Sequence, residues 1–153
     1  MLSLKKALLD ANFEIYGEDA TALRLAERHR YHLMDAGVDV APVAAAGDRG
    51  AEGEPELAFL VRFTARAQKS DFPHVESSRI YAAIRAHFGE ATHEHGFRVD
   101  DEAVHEVADP VDGSRILDVW FETRFAKRVE SLDAVIEEVR WALALEKYVR
   151  PDS

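Results

Sequence analysis

The clearest pattern in the chain is a strict two-residue alternation over 57–67, where Leu57, Phe59, Val61, Phe63 and Ala65 share one parity and Ala58, Leu60, Arg62, Thr64 and Arg66 the other. Such alternation predicts a strand with one face in a core. A second alternating run over 115–129 puts Leu117, Val119, Phe121, Thr123 and Phe125 on the core side and Ile116, Asp118, Trp120, Glu122 and Arg124 opposite. The weaker run 97–108 precedes it across Asp109-Pro110-Val111-Asp112-Gly113, whose composition is that of a turn, so the two runs predict a long hairpin.

Helical spacing takes over elsewhere. Leu4, Ala7, Leu8 and Ala11 recur on one helix face, with Asn12 as the stop. Ile80, Ala83, Ile84, His87 and Phe88 predict a helix over 75–88 ended by Gly89, and Ser131 is the expected cap of a last helix reaching 149 before Pro151. Residues 13–26 read as a short hairpin around Gly17-Glu18-Asp19-Ala20, followed by a helix over 27–36; one helix over 19–36 fits almost as well. From 41 to 56 the chain is rich in Ala, Gly, Pro and acidic residues without periodicity, which predicts a flexible internal loop.

These elements predict one α+β domain over 1–153: an antiparallel or mixed sheet with its helices mainly on one face, ending in a long hairpin and a C-terminal helix. Strands covered by helices on both faces would read as continuous apolar runs. These alternate, so one sheet face is expected to meet water or a partner.

Composition narrows the chemistry. Among 153 residues there is no cysteine, which removes disulfides, thiolate nucleophiles and cysteine-bound metals. The formal net charge of −10 opposes phosphate backbones and argues against nucleic acid, while it would speed encounter with a basic partner. No stretch is apolar enough to span a bilayer, and the two lysines at Lys5 and Lys6 break any leader-like run, so neither a membrane nor export is expected and the cytoplasm is the expected compartment.

No phosphate-binding loop, nucleophile elbow or paired-histidine metalloprotease helix is present, and no cofactor is expected. The candidate metal ligands are His93, His95 and His105, with His87 nearby, because imidazoles one residue apart on an extended segment can converge on an ion. A polar loop facing water explains the same histidines. His29 and His32 offer acid–base groups on a charged helix face, with no nucleophile beside them. The acidic run Asp100, Asp101, Glu102, Glu106, Asp109 and Asp112 fits no calcium loop and reads as a solvated hairpin edge.

The off-core parity is more informative. Leu60, Arg62, Arg66, Ile116, Asp118, Trp120, Glu122 and Arg124 would share one face, and an aromatic ringed by arginines is the composition of a protein contact. On the last helix Trp141, Leu145 and Tyr148 fall at i, i+4 and i+7 outside the core stripe, which predicts a homodimer contact or an intramolecular groove. The function expected from the sequence is a non-catalytic intracellular interaction module of adaptor, chaperone-like or inhibitor kind. The alternative is a small hydrolase or other enzyme built on His87, His93, His95 and His105.

Overall fold

The computed structural model describes residues 2–19, 21–27, 37–44 and 57–150, and of residues 2, 26, 27, 44 and 57 the backbone alone. The elements in order are helix α1 (Leu2–Asp10), strands β1 (Phe13–Glu18), β2 (Leu23–Glu27), β3 (Val38–Ala44) and β4 (Leu57–Gln68), and a 3₁₀ turn (Lys69–Asp71). Helices α2 (Ser77–His87) and α3 (Gly89–His93), strands β5 (Arg98–Ala108) and β6 (Ile116–Val129), and helix α4 (Leu132–Ala144) follow among the described residues. The six strands form one antiparallel sheet in the order β1-β2-β3-β4-β6-β5, which makes the class α+β. The chain divides into two compact units, Met1–Phe63 with Ala126–Leu145 and Thr64–Phe125 with Glu146–Ser153, so the boundary falls within β4 and within β6.

In the first unit α1 buries Leu4 and Leu8 and packs on β1 and α4. Asn12 ends it with φ 73°, a left-handed conformation that asparagine tolerates better than most residues. The hairpin expected over 13–26 is present, and the long-helix alternative over 19–36 is ruled out by β2. Its turn is fixed by Asp19, whose Oδ1 accepts from the Thr21 and Ala22 amides at 2.8 and 2.9 Å; these bonds hold the carboxyl below its ordinary pKa. The helix expected over 27–36 lies outside the described residues apart from Glu27, which is in β2.

Strand β3 corrects the expected loop over 41–56: residues 41–44 are strand, and 45–56 lie outside the described residues. Pro42 gives this run its loop-like pattern, since proline has no amide to give a ladder. Here β2 pairs with β3 only from Val38 to Val40, so at Pro42 only the β4 side is paired, opposite Phe59. Helix α4 then lies over β2 and β3 and buries Val135, Val139 and Ala142. Ser131 caps it as expected, its Oγ accepting from the Ala134 amide at 3.1 Å.

In the second unit Ala65, Ala67, Phe72, Ile80, Ile84, Phe88, Phe97, Phe121 and Phe125 form the core. Phe88 interrupts the helical path at φ −100° and ψ 24°, so Gly89 begins α3 instead of ending the helix run. The hairpin turn before β6 is closed by Asp109 N to Arg115 O at 2.8 Å and by Asp112, whose Oδ1 accepts from Ser114 N and Oγ at 3.1 and 2.6 Å.

Thr123 stands among these apolar groups fully buried, and among the described residues its Oγ1 has no hydrogen-bond partner. An unpaired buried hydroxyl costs desolvation energy that an isosteric methyl does not. Thr123→Val is therefore expected to stabilise the fold by about 1 kcal/mol, read as a raised urea midpoint at unchanged slope.

Candidate protein-contact face

Alternation in β6 positions the site. Phe121, Thr123 and Phe125 point to the helices: Tyr81 of α2 meets Phe121 edge-on at 5.4 Å, and Phe88 lies 5.3 Å from Phe125. Trp120, Glu122 and Arg124 therefore point the other way, where neither α2 nor α3 lies. The core parity itself runs out toward the hairpin tip, because Leu117, expected in the core, is 53% exposed and Val119 only half-buried. The alternation is lost at this end: Leu117 is more exposed than Ile116 of the opposite parity, at 44%, and Asp118 and Val119 are alike half-buried.

Trp120 is half-buried, and the Arg66 guanidinium sits 5.1 Å from its ring centroid. Arg66 Nε also donates to Glu122 Oε1 at 2.6 Å, and Glu122 Oε2 lies 2.8 Å from His105 Nε2. A chain of contacts thus runs from β4 through β6 to β5: indole, guanidinium, carboxylate, imidazole. Beside it Thr64, Asp101, Ala103, His105, Glu122 and Arg124 line a shallow depression of about 150 Å³. Asp118 accepts from Ser70 Oγ at 3.2 Å, and Ile116 is exposed at the tip. Of the expected contact residues, Arg66, Ile116, Asp118, Trp120, Glu122 and Arg124 lie in this second unit. Leu60 and Arg62 belong to the first, where both are half-buried and Arg62 Nε donates to Asp39 Oδ1 at 2.5 Å.

The expected dimer residues do not form one helix face. Helix α4 stops at Ala144, and Leu145 is extended at φ −72° and ψ 139°. The chain beyond it leaves the helix to pair with Arg66: its amide donates to Lys147 O and its carbonyl accepts from Val149 N, both at 2.8 Å, forming a parallel bridge at Tyr148. The register of β3 on β4 ends at Phe63, so the tail supplies a partner to β4 where β3 does not reach. Trp141 packs edge-on against Phe63 at 6.4 Å, and the Tyr148 hydroxyl bonds Asp71 and lies 2.7 Å from Gln68 Oε1. Both aromatics are engaged within their own units.

The histidines are dispersed as well. His93 closes α3 and Glu94 follows in helical conformation, so the extended segment on which His93 and His95 were to converge is absent. His87 ends α2 with its ring 4.8 Å from that of Phe88, and His105 pairs with Glu122. Among the described residues no group of three or more His, Asp or Glu is placed to hold a metal ion. His29 and His32 lie outside the described residues. Within the acidic run Glu102 bonds Arg85, and with Asp101 it adds to burial in raising the Tyr81 phenol above its ordinary pKa.

Among the described residues no helix is long and apolar enough to cross a membrane. Comparison with known proteins finds no matching family model, no matching curated protein and no matching solved structure.

Proposed function

We propose that this chain is a non-catalytic protein-interaction module of adaptor, chaperone-like or inhibitor kind, whose contact surface is the β6 face around Trp120. One observation carries the reading: a tryptophan stacked under an arginine, on a face that the described helices of its unit leave uncovered. Tryptophan and arginine are the residues most enriched where protein contacts concentrate their energy. Glu122, tied to Arg66 and His105, pre-orders the surroundings of the indole, which lowers the entropy lost on binding. The net charge of −10 favours a partner with a basic contact surface.

The test is capture of partners by the tagged chain compared with Trp120→Ala combined with Arg124→Ala. The double variant is expected to weaken its principal partner by at least about 30-fold, the equivalent of about 2 kcal/mol lost at a central aromatic. Capture should also fall as salt rises. Retention of the same partners by a folded double variant overturns the proposal.

A further inference from the structure

Among the described strands β1 and β5 are the edges of the sheet, and the chain treats them differently. At one end β1 is six residues long, is bulged between Ile15 and Gly17, and has α1 packed on it. Short, bulged and covered edges resist pairing with other chains. At the other end β5 runs for 11 residues, roughly 36 Å at 3.3 Å per residue, and has β6 as its only neighbour among the described residues. Ten of its residues are exposed and Ala103 is half-buried. It contains no proline to interrupt a ladder, its guard against unselective pairing being charge, and it is rich in β-branched valine: Val99, Val104 and Val107 are 41, 51 and 37% exposed.

The charge on β5 decides which strand it admits. Within the strand Asp100, Asp101, Glu102 and Glu106 outnumber the one arginine, Arg98, and Glu102 is paired with Arg85 of α2. In a full-overlap antiparallel pair of two copies, with Ala103 facing itself, Asp100 would meet Glu106 at both ends, and a parallel in-register pair would set every acid beside its copy. Like charges directly opposite are destabilising and opposite charges are stabilising. The edge therefore repels a second copy and favours a cation-bearing strand.

We infer that β5 is a docking edge for an extended, lysine- or arginine-bearing segment of another protein, which adds to the sheet as a seventh strand. Main-chain hydrogen bonds would supply the attachment, valine contacts the packing and the carboxylates the choice of partner. The attachment is to the backbone of β5, which borders the Trp120 face through Asp101, Ala103 and His105 but draws on neither Trp120 nor Arg124, so the inference stands whether or not that face binds.

The probe is a nine-residue peptide alternating valine and lysine, with a control of the same sequence N-methylated at every second residue. The control keeps the charge and removes the amide donors of one edge. Titration calorimetry and hydrogen exchange are expected to show the plain peptide binding and slowing exchange across β5. The methylated peptide, and Asp100→Lys combined with Glu106→Lys, are each expected to bind at least tenfold more weakly. Trp120→Ala with Arg124→Ala should leave peptide affinity within twofold, which separates this result from that of the partner-capture test. No binding, equal binding by the methylated control, absence of protection in β5, loss of binding in the Trp120 variant, or self-association without peptide would each overturn the inference. The methylated control is measured on the unmodified protein, so the test holds even where the charge variant does not fold.

Discussion

Phe125→Ala is expected to destabilise the protein by about 3–5 kcal/mol, whereas Leu117→Ala, eight residues earlier on the same strand and the same parity, should change stability by less than about 0.5 kcal/mol. Phe125 is fully buried against Phe88, so its removal leaves a cavity lined by aromatic and aliphatic groups that cannot collapse without moving α2. Leu117 is half-exposed, and truncating it removes little buried surface. Urea unfolding of the two variants measures the contrast directly. Equal losses would mean that the hairpin tip is covered after all, and the docking edge argued for β5 would then lose its exposed neighbourhood.

That contrast shows what the amino-acid pattern encodes and what it does not. Alternation in β4 and β6 specifies which side of a strand faces the core, and Phe59, Val61, Phe63, Phe121 and Phe125 are buried as their parity requires. Parity carries no information on how far the covering helices extend, so Leu117 and Val119 read as core from the sequence alone. β3 was hidden by Pro42, because a proline in a short Val/Ala run weighs as a loop signal until the register shows that one side of the strand is unpaired there. The end of α4 was hidden for the opposite reason. No glycine or proline precedes Pro151 to stop the helix, and the stop comes from a backbone ladder on Arg66, some eighty residues away in the chain. Trp120 was legible as an off-core aromatic. Its coupling through Arg66 and Glu122 to His105 was not, since three strands must be in register before those side chains meet.

The same C-terminal ladder leads to a pH-dependent expectation. Tyr148 is carried to the second unit by the two backbone bonds at Arg66, and there its hydroxyl bonds Asp71 beside Gln68 while the Arg150 guanidinium stacks 5.0 Å from its ring. Burial, then the hydrogen bond to Asp71 and the charge of that carboxylate, raise the phenol well above its ordinary pKa of 10.0. The folded state thus holds the proton more tightly than the unfolded chain does. Stability from this group is fully present below pH 10 and is lost as pH rises above it, because the unfolded chain gives up the proton first. Tyr148→Phe is expected to cost about 1–2 kcal/mol at pH 7, where it removes one hydrogen bond to a charged acceptor. Above pH 10 the wild-type protein should lose stability faster than the variant, so the gap between them narrows. Urea titrations of both proteins at pH 7 and between pH 10 and 11 read the difference. A gap that stays constant or widens in the alkaline range would mean that Tyr148 is not the proton-holding anchor of the tail, and the docking of 146–150 on β4 would then rest on its backbone bonds alone.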